Sequence, residues 1–347
     1  MHTEQSQKIL RYVVGVMLSL IIAYGLNWPL AYVMPVFVAK LLVDKPIADK
    51  RVMTELGLSM VATVLIALMV TNGLVQYPLI MLVLIGLMML WAYFLFQNPN
   101  WNFFATMLMI AALLLPYLGL MQPVIALEAG KALMLAGGGA VAVYGIMHWL
   151  FPAQGGEIPN VVTKSAQEER QAQQVRLQES YKALLISFPV IAFCYFCQLT
   201  GAILTMIFIG ILSLQLTVAK SVKLSLFLLI TNIVGGLLAI MAYELLVTAP
   251  WFPFLVAMMA CFTLIFAVKI FCQPEKAPIY ASIFSALLVI FGAVVASDSK
   301  LIDMNFYTRI WQLILTSGYM IVVATFIEKW QSASCTDAKQ PAPVLLT

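Results

Sequence analysis

Charge is scarce in this chain of 347 residues. Aspartate, glutamate, lysine and arginine make up 10% of the sequence, whereas hydrophobic residues make up 63%. Soluble domains carry about 25% charged residues, because charge keeps their surface hydrated. The scarcity therefore excludes a soluble protein, and a mean hydropathy of +0.98 indicates an integral membrane protein.

Residues that several function classes require are also few. Cys194 and Cys197 have redox-motif spacing, but they lie in an apolar run, so we interpret them as packing residues and expect no disulfide and no metal site. No glycine-rich phosphate loop is present, so any ATP would have to be bound by another chain, and we expect no cofactor. The loops lack clustered acids or histidines, which predicts that the chain is not an enzyme. A net charge of +4 gives no support for nucleic-acid binding.

Long apolar runs account for most of the chain. A helix needs about 20 apolar residues to cross a bilayer, and we interpret twelve runs as crossings. Six precede a polar stretch, at 12–25, 29–43, 54–71, 77–96, 103–120 and 132–151. Six follow it, at 183–197, 201–217, 224–247, 252–271, 278–296 and 306–327. The sequence thus predicts an all-α polytopic membrane protein with about twelve transmembrane helices and a tight turn at 27–29.

Lysine and arginine collect in alternate loops. With the N-terminus in the cytoplasm, all of the 19 basic residues fall on the cytoplasmic side except Lys131, Lys300 and Arg309. This asymmetry follows the positive-inside rule and predicts that both termini are cytoplasmic. No small-residue cleavage site follows the first apolar run, so we interpret that run as a retained anchor.

The polar stretch divides the chain into two membrane halves, at 1–151 and 182–329. A cytoplasmic linker helix is expected at 152–181 and a cytoplasmic tail at 330–347. Tyr77 and Pro78 begin the fourth run much as Phe252 and Pro253 begin the tenth. Six crossings in each half predict two parallel repeats, with the substrate path between them.

Two segments resemble a known family. The segment RYVVGVMLSLIIAYGLNWPLAYVMPVFVAKLL, at 11–42, resembles the first two spans of the fusaric acid resistance and aromatic acid exporter family. The segment TNIVGGLLAIMAYELL, at 231–246, is similar to a glycine-containing third helix of a half in that family. The resemblance implies an exporter of aromatic carboxylic acids, drugs or related compounds in the bacterial inner membrane, working with a periplasmic membrane-fusion adaptor. The chain resembles a compact form, because large soluble domains are missing after each half.

A few ionisable residues near membrane depth are candidates for transport. Arg309 and Lys131 lie at the outer ends of the twelfth and sixth spans, where they could attract an anionic substrate or anchor the helices at lipid headgroups. Glu244 and Glu128 are candidates for a proton relay, with interfacial acids as the alternative interpretation. His148 is interpreted as an interfacial side chain.

The sequence therefore predicts an exporter of small organic anions or drugs, surrounded by membrane lipid and driven by the proton gradient. Two alternatives remain open. The first is a transporter of the major facilitator type. The loop DKPIADKR, at 44–51, has some likeness to a loop of that superfamily, although it lacks the glycines. The chain could also be a non-transporting membrane subunit that assembles partners.

Overall fold

A computed structural model describes residues 2–45, 50–74, 76–98, 101–152, 166–197, 206–207, 209–214, 222–295, 318–319 and 322. Within those residues every regular element is a helix. Polar peptide groups must be satisfied inside the segment when no water surrounds it, and a helix does this with its own hydrogen bonds. The predicted all-α class is confirmed.

Ten α-helices are described. The first six are α1 His2–Gly25, α2 Val33–Asp44, α3 Lys50–Leu74, α4 Pro78–Phe96, α5 Asn102–Met121 and α6 Pro123–Leu150. The next four are α7 Ala166–Cys197, α8 Val222–Thr248, α9 Phe252–Cys272 and α10 Ala277–Val295. A single 3-10 turn, Pro274–Lys276, joins α9 to α10. Proline occupies the first turn of α4, α6 and α9, where its missing N–H costs no helical hydrogen bond.

Eight helices in the described residues are long and apolar enough to cross a membrane. They are Glu4–Gly25, Met53–Gly73, Pro78–Phe96, Asn102–Met121, Pro123–Leu150, Gln173–Phe196, Phe252–Cys272 and Pro274–Gly292. The predicted count of twelve and the two repeats are not confirmed. The predicted spans at 201–217 and 306–327 lie largely outside the described residues. The predicted second span corresponds to α2, which has only 12 residues.

Two element boundaries differ from the sequence prediction. Helix α6 begins at Pro123, nine positions before the predicted start of the sixth span, so Glu128 and Lys131 lie within the helix. Helix α7 is continuous from Ala166 to Cys197, so the predicted linker helix and the seventh span form one element. A polar first half that leads directly into an apolar second half explains why the composition alone suggested two units.

Helices α2 and α5 form the centre of the first half. Most side chains of both helices are buried, and α5 contacts α3, α4 and α6, while α2 contacts α1 and α6. Helix α1 also packs along α9, where the Tyr12 and Phe271 rings meet edge to face at 5.7 Å. Helix α2 contacts α10, so the α1–α2 hairpin lies between the two parts of the chain.

Glycines of α6 set its alignment with α3. A side chain at Gly145 would collide with Met53, and one at Gly137 would collide with Met60. A Cβ built on Gly130 would lie 3.3 Å from Leu68. The two helices are therefore antiparallel and in close contact over most of their length, which the absence of Cβ atoms permits.

Hydroxyl groups join α7 to the first half. The buried Tyr93 hydroxyl lies 2.7 Å from Ser187 Oγ of α7 and 2.6 Å from Ser213 Oγ. Farther along α7, the Tyr195 hydroxyl donates to the Leu113 carbonyl at 3.0 Å. Interhelical hydrogen bonds of this kind stabilise helix pairs in lipid by about 0.6 to 1.7 kcal/mol each.

Candidate functional site

A buried arginine lies at one end of the helix bundle. Arg11 of α1 is only 4% exposed. Its guanidinium lies within electrostatic range of Tyr144 of α6. The ion pairs in the described part of the chain, Glu128–Lys131 and Glu179–Lys182, do not include it. A buried guanidinium is costly in a membrane protein, so Arg11 is a candidate for an anion-binding group.

Tyr144 and His148 line the same end of α6. The Tyr144 hydroxyl donates to the Lys45 carbonyl at 2.9 Å, which ties α6 to the end of α2. His148 Nδ1 lies 3.0 Å from the Tyr144 carbonyl. Because a carbonyl only accepts, Nδ1 carries a proton, and Nε2 is the nitrogen that can gain or lose one. The two rings are 4.3 Å apart between centroids.

A second cation lies near the end of α2. Lys40 Nζ donates to Thr106 Oγ1 of α5 at 3.1 Å and lies 4.8 Å from the centre of the Phe96 ring of α4. Asp44, one turn later on α2, lies within electrostatic range of Lys40. The ring and the hydroxyl replace part of the hydration that the ammonium loses. We use the name cation cluster for Arg11, Lys40, Tyr144 and His148, which lie toward the same end of α1, α2 and α6; the contacts of Lys40 are with α4 and α5, and those of Arg11 are with α6.

An apolar cavity begins one turn from Lys40. Its lining includes Tyr32 and Phe37 from the hairpin and α2, Ile110 from α5, Leu133 from α6, and Ile211 and Val289 from the later part of the chain. It therefore lies between the two predicted halves. Phe37 meets Phe103 edge to face, with ring centres 5.6 Å apart. On α5, Thr106 lies one turn before Ile110 of the lining, so the Lys40–Thr106 contact is next to the cavity along this helix.

The structure places the predicted site residues away from the cation cluster. Glu128 and Lys131 form an exposed ion pair, Nζ to Oε1 3.5 Å, with side chains 68% and 64% exposed. Glu128 is about 30 Å from His148 along the axis of α6. Glu244 is exposed near the end of α8. Arg309 lies outside the described residues. The transport roles of these four residues stay predictions.

Sequence reasoning assigned Arg11 and Lys40 to the cytoplasmic ends and treated them as topology markers only. One local feature of the sequence indicates that Lys40 is buried. Lys40 is embedded in the run VMPVFVAKLLVD, where buried residues precede and follow it. Arg11 stands directly before an apolar run, at a position that looks interfacial in the sequence. Only the packing of α1 against α6 shows that its side chain is buried.

Comparison with known proteins adds a family match for the first half. Residues 8–147 match a family model described as a protein of unknown function (DUF2955). The match covers less than half of the chain and includes Arg11, Lys40 and Tyr144. No curated protein and no solved structure matches the chain. None of these comparisons names the fusaric acid resistance family that two segments resemble.

The fold and the family match together define a class. The chain is an all-helical membrane protein, with part of its first half similar to the DUF2955 family.

Proposed function

We propose that this chain is a membrane transporter that exports small organic anions. The observation that carries the proposal is the cation cluster, in which buried Arg11 and partly buried Lys40 lie at one end of a membrane helix bundle. Ionisable groups in membrane segments are costly, and they commonly mark ion or substrate paths. The resemblance to aromatic acid exporters supports the same substrate class.

The chemistry of the cluster suits a carboxylate attached to an apolar body. A guanidinium binds a carboxylate through two parallel N–H donors. The cavity beside Phe37 has an apolar lining and a volume of about 30 Å³, so it would have to widen to admit a ring, because benzene occupies an apolar cavity of about 150 Å³. An aromatic carboxylic acid or an anionic drug combines these two parts.

Proton coupling is the proposed driving force. Histidine commonly gains and loses a proton near neutral pH, and His148 lies in the cation cluster, with its ring tilted against that of Tyr144. A proton on Nε2 would add positive charge at this end of α6 and favour anion binding. Glu244 and Glu128 remain the proposed relay residues at the other end.

The finer architecture is part of the same proposal. Twelve spans in two parallel halves would place the cavity on the path between the halves. The bacterial inner membrane is the proposed location, with both termini cytoplasmic and a periplasmic adaptor as partner. In this orientation the cation cluster faces the cytoplasm, where an exporter collects its substrate.

Accumulation of labelled benzoate in energised cells tests the proposal. Cells that express the chain with an adaptor should accumulate less benzoate than cells without it, and an uncoupler should abolish the difference. Arg11→Gln should also abolish it, whereas Lys8→Gln should not, because Lys8 is exposed one turn earlier on α1. Glu244→Gln and Arg309→Ala test the outer residues in the same assay.

One outcome of the accumulation assay would contradict the export proposal. If the chain is present in the membrane and benzoate, salicylate and anionic dyes all accumulate normally, the export proposal fails. A non-transporting membrane subunit would then be the better account.

A further inference from the structure

Helix α6 carries parts of both the cation cluster and the apolar cavity. Tyr144 and His148, near its end, belong to the cluster, whereas Leu133 lines the cavity. The cavity must widen before it admits a ring, so at least one of its walls has to move. A displacement of α6 would change the cavity and the cluster together, because both are built on this one helix.

Methionine packs on glycine where α6 closely approaches α3. A Cβ built on Gly137 would collide with Met60 of α3. Two turns later, a Cβ built on Gly145 would collide with Met53 of the same helix. At Gly130, nearer the other end of α6, the partner is a leucine. The two contacts closest to the cation cluster therefore both consist of a methionine side chain against a bare backbone.

The same pairing occurs on the side of the α1–α2 hairpin. A Cβ built on Gly139 would lie 2.9 Å from Met34 Cε of α2. In the opposite sense, Met147 of α6 packs together with Leu42 on Gly15 of α1. A methionine side chain has three rotatable bonds and adapts its shape, and a glycine has no Cβ to obstruct it. These contacts can therefore be kept while α6 shifts along its neighbours.

Other helix pairs are joined by groups with fixed geometry. Helix α4 is bonded to α7 through the Tyr93 and Ser187 hydroxyl groups, whose oxygens are 2.7 Å apart. Helix α1 meets α9 through the edge-to-face contact of Tyr12 with Phe271. Hydrogen bonds and aromatic pairs depend on distance and angle, so a displacement costs more at these interfaces than at a methionine on glycine. Helix α6 is therefore the element that shifts most easily.

One hydrogen bond opposes a displacement of α6. The Tyr144 hydroxyl donates to the Lys45 carbonyl, at the end of α2, over 2.9 Å. Packed helices commonly shift past each other by about 1 to 2 Å. A shift of that size would stretch this hydrogen bond beyond its working range. The bond therefore belongs to one position of α6 and is lost in the other.

We propose that α6 shifts as a unit between two positions along α3 and the α1–α2 hairpin, and that the Tyr144–Lys45 bond latches one of them. The latched position is the one that the structure shows, and its cavity is too small for a ring. The unlatched position, in which Leu133 has moved with α6, is the one that admits the apolar body of an organic anion. This link to the substrate rests on the proposed function, whereas the shift itself does not.

The methyl groups of methionine test the shift in the native chain. Methionine labelled with carbon-13 at its methyl group places a probe at each contact of α6, in protein reconstituted into lipid nanodiscs. Relaxation dispersion detects exchange on the microsecond to millisecond timescale on which helices shift. The probes at the contacts are Met34, Met53, Met60 and Met147. The matched controls are Met81 and Met89, which are fully buried on α4. Each signal is assigned by replacing that methionine with leucine.

The four probes at the contacts should show exchange with one shared rate and one shared population, because a single helix moves. Met81 and Met89 should show none. Tyr144→Phe removes the latch, so it should change the population ratio by about two- to tenfold toward the unlatched position, which is the contribution of one hydrogen bond. Sodium benzoate, added to the wild type, should change the ratio in the same direction.

Absence of exchange at the four probes, in the wild type and in Tyr144→Phe, would overturn the shift. Exchange with a different rate and population at each probe would overturn it as well, because that pattern means separate side-chain rotations. Equal exchange at Met81 and Met89 would overturn its restriction to α6. Shared exchange that responds to Tyr144→Phe but not to benzoate would support the shift and count against the proposed function.

Discussion

Replacing Arg11 with glutamine should stabilise the protein while removing anion binding. Arg11 is 4% exposed and has no carboxylate among its described neighbours. An arginine at the centre of a membrane helix costs about 2.5 to 3.5 kcal/mol on insertion scales. Arg11 lies nearer a helix end and has Tyr144 within electrostatic range, so we expect about 1 to 2 kcal/mol of that cost to be recovered in the variant.

Thermal unfolding in detergent measures both effects. Without ligand, Arg11→Gln should melt a few degrees above the wild type, and Lys8→Gln should melt with the wild type. With benzoate at about 100 times its Kd, the wild type should gain about 2.7 kcal/mol by mass action, because only the folded state binds. Arg11→Gln should gain nothing.

A loss of stability would refute this reasoning. Breaking a buried ion pair costs about 3 to 5 kcal/mol, because the partner charge is left alone. If Arg11→Gln lowers the free energy of unfolding by that amount, Arg11 has a structural partner and is not an open anion site. Retained stabilisation by benzoate in the variant would contradict the binding role directly.

The other predictions concern packing, hydrogen bonds and the hairpin turn, each measured by unfolding in detergent. Tyr93→Phe should lower the free energy of unfolding by about 0.6 to 1.7 kcal/mol, because it removes the interhelical hydroxyl. Tyr77→Phe, at an exposed position, should leave the free energy of unfolding unchanged. Gly137→Ala should cost about 1 to 3 kcal/mol through overpacking, but Gly57→Ala, which has open space around it, should not destabilise. Asn27→Ala should lower the free energy of unfolding by about 1 kcal/mol, because Asn27 has a positive φ, whereas Asn27→Gly should be tolerated. An equal loss of stability in both variants would show that the positive φ is not the cause.

The fold class was predictable because membrane insertion depends on composition. Long apolar runs and charge confined to their ends specify helices in a bilayer, and the predicted helices from 54 to 120 agree with α3, α4 and α5 within a few residues. The start of α6 was missed, because Glu128 and Lys131 interrupt the apolar run. In the structure they lie on an exposed face of the helix and pair with each other, so they do not end it.

The candidate site was missed for a related reason. In sequence, Arg11 and Lys40 satisfy the topology rule, which already accounts for a cation at a span end. Their burial depends on which helices surround them, and α1, α2 and α6 come together only in three dimensions. His148 was predicted to be an interfacial residue, but its ring contact with Tyr144 depends on the local helix geometry at 144–148.

Transport of a carboxylate by the purified chain tests the central claim most directly. Proteoliposomes containing the wild type, Arg11→Gln or Lys8→Gln would be given labelled benzoate or its neutral analogue benzamide. We predict that the wild type and Lys8→Gln transport benzoate but show no protein-dependent uptake of benzamide, while Arg11→Gln transports neither compound. Equal benzoate transport by Arg11→Gln and the wild type would contradict a function built on the buried arginine.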